Sequence, residues 1–248
     1  MTVDQLEAAR TPRTKALVFV SPSNPTGSVY PPRGDRGDRP VGRRARDRAS
    51  SPTRSTSTSC TATHEHHSIQ AVVPEIAEQC VILNGVAKTY AMTGWRVGWL
   101  IGPADVVKGA TNLQTHLTSN VCNVAQRAAL AAVSGDLSAV EEMRQVFDRR
   151  RRTMHRLLAD IPGVSCMEPE GAFYAYPNLT GLLGVDLSGR SAASTVELAD
   201  LVLEEAKVAF VPGEAFGSPG YGRFSFALGD DDLEEGIDRL ARLVTGRA

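Results

Sequence analysis

"VAKTYAMTGWRVGW", Val86 to Trp99, holds one lysine, Lys88, and one arginine, Arg96, eight positions apart. Small, aliphatic and aromatic residues surround both cations, so the stretch is too apolar for a solvated run of charge. A lysine amine becomes a nucleophile when an apolar setting or a neighbouring positive group lowers its pKa. A guanidinium presents a planar fork of donors that suits a phosphate dianion. The spacing therefore indicates a reactive amine combined with an anion-binding group, although surface ion pairs would explain either cation taken alone.

Apolar runs before and after this stretch have the lengths of buried strands. "CVILNG" (80–85) precedes it, "RVGWLIGP" (96–103) overlaps its end, and "KALVFV" (15–20) lies near the N-terminus. Two segments of helical composition follow, at 103–117 and 123–133. Continuous apolar strands separated by helical segments are typical of a parallel sheet that is covered on both faces. The first half of the chain is therefore predicted to belong to an α/β domain with a mostly parallel sheet.

The second half of the chain mixes helices and strands in a different order. A long helix is predicted to begin at Ser138, and its arginine run, Arg149 to Arg152, is interpreted as a solvated helix face rather than a nucleic-acid patch. Three strand-like stretches follow, "GAFYAYPNL", "VAFVPG" and "GRFSFALG", with helical stretches at 194–206 and 230–244. This order predicts a smaller α/β domain.

One segment, Arg33 to Thr63, has no hydrophobic periodicity. Its first part, Arg33 to Arg54, contains eight arginines and three aspartates, a net charge of +5, and its last part is almost entirely serine and threonine. Such a composition is typical of a disordered basic insert, which could serve as a nucleic-acid-binding arm. We place the segment in the first of two predicted domains, which span 1–135 and 136–248.

A shifted reading frame explains the same segment better. Arginine, glycine, alanine and proline are what GC-rich DNA encodes in a wrong frame. In one shifted frame, with permitted synonymous bases, "SSPTRSTSTSCTAT" (50–63) becomes Val-Thr-Asp-Glu-Ile-Tyr-Glu-His-Leu-Val-Tyr-Gly-Asp, which has the pattern of a strand, a turn and a helix start. In the other, "GDRGDRPVG" (34–42) becomes Glu-Ile-Glu-Ala-Ile-Gly-Arg-Trp-Ala, an amphipathic helix. Our hypothesis is that Arg33 to about Thr63 is frameshifted.

The composition of the whole chain narrows the range of partners. A net charge of −1 over 248 residues argues against a nucleic-acid-binding protein. Four cysteines, scattered without metal-ligand spacing, favour a reducing compartment. No run approaches the roughly 20 apolar residues of a membrane helix, and the polar start of the chain lacks a signal-peptide pattern. We therefore expect a cytoplasmic protein with no nucleic-acid, membrane or metal partner, and interpret His64, His66 and His67 as loop residues.

The motifs "SPSNPTG" and "NGVAKTYAMTGWRVG" together resemble those of the fold-type I, class I and II aminotransferases, most closely the aspartate aminotransferase branch. The resemblance implies pyridoxal 5′-phosphate (PLP) as cofactor, held by Lys88 as a Schiff base and by Arg96 at its phosphate. It also implies that Asn24, in the turn "NPTG" (24–27), hydrogen-bonds the phenolic oxygen of the cofactor. Family members often carry a serine close to this lysine on its N-terminal side, where this chain has glycine and alanine.

The resemblance extends to the C-terminus and covers nearly all of the chain outside 33–63. "GAFYAYP" (171–177) is similar to the family's small-domain strand, and "VPGEAFG" (211–217) to the loop after the next strand. "GYGRFSFALGDDDLEEGIDRL" (220–240) resembles the segment whose arginine binds the α-carboxylate of the amino acid, which implies that role for Arg223. The expected fold is thus α/β, a partial PLP-dependent transferase fold with part of the large domain and a small C-terminal domain.

Two departures from the family bear on activity. The family's aspartate, which pairs with the ring nitrogen, and its tyrosine, which bonds the phenolic oxygen, occur here only in the shifted-frame peptide Val-Thr-Asp-Glu-Ile-Tyr. In addition, Met1 falls inside the family's large domain, so the glycine-rich phosphate loop and the aromatic residue stacked on the ring are missing. We therefore expect an impaired, N-terminally truncated fragment that exposes apolar surface.

Three functions are open at this point. The first is an aminotransferase, homodimeric like its family, that moves an amino group between an aspartate-like L-amino acid and a 2-oxo acid. In it, Arg223 would hold the α-carboxylate and Lys88, once released, would act as general base. The second is a PLP-dependent carbon–sulfur lyase or another eliminating enzyme, which the Lys88 motif alone does not exclude. The third is a non-catalytic remnant or an interaction protein with a basic arm.

Resequencing of the genomic DNA across codons 30 to 66 tests the frameshift hypothesis. We expect accurate sequencing to show a frame that encodes Val-Thr-Asp-Glu-Ile-Tyr in the region of Ser50 to Thr63. That peptide has the strand pattern which the arginine- and serine-rich sequence lacks. An uninterrupted frame that encodes the arginine- and serine-rich segment would refute the hypothesis.

Overall fold

The structure of the protein, a computed structural model, describes residues 2–30 and 67–246 in full and residues 48–52 as backbone. The chain divides into two compact units. Unit 1 comprises Met1–Pro22 and Val29–Glu141, and unit 2 comprises Ser23–Ser28 and Glu142–Ala248. The short segment Ser23–Ser28 therefore belongs with the C-terminal part of the chain.

Unit 1 is built on a sheet that has four strands among the described residues. They are, in spatial order, β1 (Ala16–Val18), β2 (Arg48–Pro52), β3 (Cys80–Gly85) and β4 (Gly98–Ile101). Strands β1, β2 and β3 run parallel, whereas β4 is antiparallel to β3. β4 reverses because a connection without a crossover helix returns the chain directly along β3. The three predicted strands and the mostly parallel sheet are confirmed.

Strand β2 lies inside the segment 33–63, for which we predicted no regular structure. It pairs with β1 on one side and β3 on the other, in registers that place Arg48 opposite Ala16 and Ala49 opposite Cys80. Because backbone groups supply the hydrogen bonds of a sheet, two flanking strands can impose pairing on a composition that is unfavourable for strands. The expectation of disorder does not hold for these five residues. The rest of the segment lies outside the described residues.

Four helices accompany this sheet in the described part of unit 1, namely α1 (Val3–Ala9), α2 (Ile69–Val72), α3 (Ala104–Leu117) and α4 (Asn123–Ser134). Helices α3 and α4 confirm the two predicted helical segments. Helix α3 buries none of its residues, and Leu117, Val124 and Val18 are all more than 60% exposed. The predicted exposure of apolar surface is confirmed here, whereas the expectation of a sheet covered on both faces is not met in the described residues.

Unit 2 combines three helices of three or more turns with an antiparallel sheet. Its elements are α5 (Ser138–Ala159) from Glu142 onward, β5 (Tyr174–Ala175), α6 (Thr195–Ala206), β6 (Val211–Pro212), β7 (Gly222–Ser225) and α7 (Asp230–Thr245), with sheet order β5-β7-β6. Leu158, Leu198, Phe226 and Leu240 are at most 1% exposed and belong to one apolar cluster. The helices therefore bury their apolar stripes against each other and the sheet, as the predicted mixture of elements requires.

The first turn of α6 is held by a buried contact between a hydroxyl and a carboxylate. Oγ1 of the fully buried Thr195 lies 2.6 and 2.7 Å from the carboxylate oxygens of Glu214 and accepts a hydrogen bond from Gly220 N at 3.0 Å. Ser194 Oγ caps the helix by accepting from Glu197 N at 3.2 Å. The hydrogen bond from Thr195 is the main cause that lowers the pKa of the Glu214 carboxyl. This contact joins the helix to the single turn that follows β6.

The arginine run of α5 is paired with carboxylates. Arg149 and Arg150 donate to Asp230, the first residue of α7, at 2.8 and 2.9 Å. Arg151 is buried, so the predicted solvated face does not extend to it. Because these cations have carboxylate partners within the unit, the run does not present the unpaired positive charge that a nucleic-acid backbone attracts.

The variant Thr195→Val removes the buried hydroxyl at nearly constant side-chain shape. It takes a hydrogen-bond partner from Gly220 N and from Glu214, so we expect the free energy of unfolding of unit 2 to fall by about 1–3 kcal/mol. Urea denaturation followed by circular dichroism measures this change. The control Thr245→Val removes only an exposed hydroxyl contact near the end of α7, and should change the free energy of unfolding by less than about 0.5 kcal/mol.

The same variants carry a pH signature. The pKa of Glu214 is lowered from its ordinary value of 4.5, so its ionised form stabilises the folded state above that value and the contribution is lost as the pH falls through the lowered pKa. The destabilisation caused by Thr195→Val should therefore shrink in acid below pH 4.5. A destabilisation that is equally large at neutral and strongly acidic pH would contradict this account.

Candidate functional site

The connection between β3 and β4, residues 86–97, has a narrow base. Val86 N donates to Val97 O at 3.1 Å, and Gly85 lies opposite Gly98 in the two strands. A Cβ on Gly85 would lie 2.7 Å from Val97 O, and one on Gly98 would lie 2.9 Å from the nearest backbone oxygen of β3. Any side chain at either position would therefore separate the strands. The two glycines fix the base from which the connection projects.

Lys88 and Arg96 both lie on this connection in unit 1, and both are exposed, contrary to the apolar setting that we expected. Arg96 adopts the left-handed conformation, φ 53°, and its Nη1 donates to Thr93 O at 2.9 Å. Gly94, between the two cations, has open space where a Cβ would lie, so no close contact there requires a glycine. Val86, at the base of the connection, is fully buried, whereas Trp95 beside Arg96 is 45% exposed. The amine and the guanidinium are accessible on its surface.

Asn24 belongs to unit 2 and lies on the tight turn Ser23–Ser28. Backbone hydrogen bonds of 2.8 and 2.9 Å close the turn. The carbonyl oxygen of Gly27 accepts two further hydrogen bonds, at 2.8 and 3.0 Å, from backbone N–H groups of the segment 169–171. Gly27 has φ +72°, and a Cβ there would lie 2.7 Å from the Cβ of Pro169. Only glycine satisfies both the conformation and the contact.

Arg223 of β7 contacts the same turn, although 199 positions separate it from Asn24 in the sequence. Its Nη1 donates to Asn24 Oδ1 at 2.9 Å. The guanidinium carbon lies 4.3 Å from the ring centre of Tyr174 and 5.0 Å from that of Phe216. Both rings pack against the cation within the range of cation–π attraction. Within the described residues, the Nε–Nη2 edge has no hydrogen-bond partner, and this is the edge on which a carboxylate forms two parallel hydrogen bonds.

The hydrogen bond also defines the orientation of the Asn24 amide. A guanidinium only donates, so the amide oxygen must face Arg223 and the amide NH₂ is the group left for a ligand. An amide NH₂ suits an anionic phenolic oxygen, the amine of Lys88 suits an aldehyde, and the guanidinium of Arg96 suits a phosphate. Taken one by one, these three residues match three polar functions of PLP by their chemistry; none of them matches the fourth, the ring nitrogen.

Sequence reasoning assigned no role to Tyr174 or Phe216. Both lie in motifs that contributed to the family resemblance, "GAFYAYP" and "VPGEAFG", but nothing in a linear motif shows two rings converging on one arginine. Burial raises the pKa of the Tyr174 hydroxyl from its ordinary value of 10.0, while the charge of Arg223 acts in the opposite direction. Tyr174 therefore stays neutral near pH 7 and adds no negative charge beside the Arg223 guanidinium.

The part of the chain that the structure describes offers neither a metal site nor a helix suited to a membrane. No group of three or more His, Cys, Asp or Glu side chains is arranged there to hold a metal ion. Within the same residues, none of the helices combines the length and the apolar composition that crossing a bilayer requires.

The chain belongs to the family of class I and II aminotransferases, whose family model matches residues 56–240. The aspartate aminotransferase of Streptomyces avermitilis is 59% identical over 253 aligned residues, which cover 99% of this chain and 60% of that protein. The aspartate aminotransferase of Geobacillus stearothermophilus is 41% identical over 266 aligned residues, covering 100% of this chain and 62% of that protein. The resemblance inferred from the motifs is confirmed.

The fold agrees with a solved structure from the same family. The crystal structure of the aspartate aminotransferase from Rhizobium meliloti matches with a TM-score of 0.91 at 33% identity, covering 99% of this chain and 62% of that one. The expected fold, a part of the PLP-dependent transferase fold, is therefore confirmed. The chain spans about 60% of the length of the curated relatives it matches.

The variant Gly27→Ala tests the turn that carries Asn24. A left-handed alanine and a Cβ contact of 2.7 Å with Pro169 should together lower the free energy of unfolding of unit 2 by about 2–4 kcal/mol. The matched control is Gly236→Ala, inside α7 with open space around its Cβ position, which should raise it by about 0.5–1 kcal/mol. Both are measured by urea denaturation. If Gly27→Ala were as stable as the unaltered chain, the described contact between the turn and Pro169 would be wrong.

Proposed function

We propose that this protein is a PLP-dependent aminotransferase that moves an amino group between an aspartate-like L-amino acid and a 2-oxo acid. The hydrogen bond between Arg223 and Asn24 carries the proposal, because it unites two residues from separate family motifs that are 199 positions apart. The proposal includes a homodimer, with the C-terminal part of the large cofactor domain in 1–135 and the long interdomain helix and small C-terminal domain in 136–248. It also includes a cytoplasmic location, which the free cysteines among the described residues support.

The roles of three residues follow from their donor chemistry. When bound, PLP supplies an aldehyde that condenses with amines and a conjugated ring that withdraws electrons from the carbon beside the nitrogen. Lys88 provides the amine that holds the aldehyde. Arg96 donates to the phosphate, with its backbone fixed in the left-handed region and its Nη1 anchored on Thr93 O. Asn24 donates from Nδ2 to the phenolic oxygen.

Arg223 binds the α-carboxylate of the amino acid through its Nε–Nη2 edge. The two aromatic rings pack on the guanidinium, so a planar carboxylate approaching the edge gains two charge-assisted hydrogen bonds. A carboxylate fixed in this way orients the Cα–H bond of the substrate. Lys88, once its amine is released, would act as general base: it would take the proton from Cα and donate it to the cofactor carbon that ends with the amino group. Both cited bacterial relatives are named aspartate aminotransferases, which supports an aspartate-like side chain.

The segment between β1 and β3 bears on the efficiency of the reaction. Strand β2 ends at Pro52, and the shifted frame would place the aspartate of Val-Thr-Asp-Glu-Ile-Tyr at 52–53. That position is the carboxyl end of a parallel strand, where α/β sheets bind their ligands. As the chain is encoded, proline and threonine stand there. We therefore expect the 248-residue chain to bind the cofactor weakly and to turn over slowly.

Borohydride reduction tests the assignment of Lys88. The chain contains four lysines, Lys15, Lys88, Lys108 and Lys207, and borohydride makes the condensation of an amine with an aldehyde permanent. After reduction in the presence of excess PLP, peptide mass mapping should find the label mainly on Lys88. Lys88→Ala should lose most of the label, whereas Lys108→Ala, which changes an exposed lysine of α3, should keep it. A label that prefers another lysine would exclude the proposed role.

A second measurement on the same preparation separates aminotransfer from elimination. With L-aspartate as donor, product formation should require an added 2-oxo acid, because the amino group needs an acceptor. Release of ammonia that is independent of the oxo acid would instead favour a lyase. Neither product, together with no label on Lys88, would favour the non-catalytic alternative.

A further inference from the structure

Arg151 is a buried cation for which the proposed chemistry has no use. Its side chain, in the middle of α5, is 9% exposed, whereas those of Arg149 and Arg152 in the same run are 58% and 63% exposed. Burying a guanidinium is strongly unfavourable unless its donors are paired. A solvated arginine at this position of the run would avoid that cost. The burial therefore indicates a structural task that needs the guanidinium.

The hydrogen bonds of Arg151 tie α5 to the segment 168–171. Nε and Nη2 both lie 3.0 Å from Asp148 Oδ1, one turn earlier on the helix. Nη1 donates to Glu168 Oε1 at 2.5 Å and to Pro169 O at 2.9 Å. The contact with Arg151 is also the main cause that lowers the pKa of Glu168. One edge of the guanidinium is thus fixed to its own helix, and the remaining nitrogen holds the beginning of the segment.

The segment 168–171 is the part of unit 2 against which the Asn24 turn packs. Its N–H groups at 170 and 171 donate to Gly27 O at 3.0 and 2.8 Å, and its Pro169 ring packs against Gly27 so closely that a Cβ would not fit. Pro169 therefore contacts Arg151 through its carbonyl oxygen and the turn through its ring. A shift of this residue would be transmitted to Gly27 directly, because no layer of solvent or flexible side chain lies between them.

Gly27 in turn determines where the Asn24 amide lies. Gly27 N donates to Ser23 O at 2.9 Å, which closes the turn around Asn24. The amide oxygen is the acceptor for Arg223 Nη1 at 2.9 Å. A displacement of about 1 Å at a group that binds a reactant can cost on the order of 10²-fold in rate. For ligand binding, the position of the turn is therefore more important than the free energy that the turn adds to the stability of unit 2.

We propose that Arg151 is a positioning residue, which fixes the segment 168–171 so that Asn24 and Arg223 keep the orientation in which they bind their ligands. The proposal rests on the proposed function for the identity of those ligands, but the chain of contacts is independent of it. The competing explanation is that Arg151 only adds to the overall stability of unit 2. The two explanations differ in where the effect of a substitution is found.

Hydrogen exchange followed by mass spectrometry locates the effect. Arg151→Met keeps the side-chain length and removes the donors; Arg150→Met, the control, breaks the ion pair with Asp230 in the same run. With PLP present, Arg151→Met should speed exchange in Ser23–Ser28 and 168–171 by about tenfold, the effect of losing roughly one charged hydrogen bond, and leave α6 and α7 unchanged. Arg150→Met should leave the turn unchanged. A uniform increase over unit 2, or no change at the turn, would overturn the proposal.

A double-mutant cycle tests whether the effect passes through Asn24. The probe is succinate, a dicarboxylate, titrated by calorimetry into the chain with PLP present. Arg151→Met should weaken succinate binding by about tenfold in the unaltered background and by less than about twofold in an Asn24→Ala background, because a residue that acts through Asn24 has little left to position. Equal losses in both backgrounds would overturn the proposal. If the unaltered chain failed to bind succinate, that would count against the proposed function, and hydrogen exchange alone would decide the role of Arg151.

Discussion

A guanidinium has five N–H donors and no acceptor, and at Arg223 this asymmetry organises the candidate site. It forces the amide oxygen of Asn24 to face β7 and leaves the amide NH₂ for a ligand oxygen. Tyr174 and Phe216 surround the cation with polarisable, weakly polar surface, which strengthens its attraction for an anion relative to water. One hydrogen bond of 2.9 Å therefore leaves the Asn24 NH₂ and one edge of the Arg223 guanidinium as the donors to which the proposed ligands would bind.

The two units stabilise their functional residues in different ways. In unit 1, backbone constraints hold the connection that carries Lys88 and Arg96, through the facing glycines at its base and the left-handed arginine. In unit 2, side-chain hydrogen bonds join the elements instead, between Thr195 and Glu214 and between Arg151 and Glu168. Backbone constraints act over one loop, whereas buried networks couple several elements. Unit 2 therefore has the larger number of positions at which a distant substitution can displace Asn24 or Arg223.

The sequence predicts every described strand except β2, most helices and the family, because apolar runs, turn residues and motif spacing are local signals. The seat of Asn24 against 169–171 is not predictable in this way, since it depends on a backbone contact between segments far apart in the chain. The helical pattern does not predict the burial of Arg151 for the same reason, because its partner Glu168 lies beyond the end of α5. A run of four arginines gives no indication of which one is buried. Long-range pairs decide which member of such a run is buried.

At strand β2 the amino-acid composition is unfavourable for the strand that the structure contains. A strand paired on both sides is normally rich in β-branched and apolar residues, and proline is excluded from its interior because it has no N–H to donate. Arg48–Pro52 contains no β-branched residue and ends in proline, yet it occupies the place between β1 and β3. The shifted-frame peptide begins at Ser50 with valine and threonine and continues with aspartate at the carboxyl end of the strand. Backbone pairing and ligand chemistry thus both favour the shifted frame at this position, on grounds that are independent of each other.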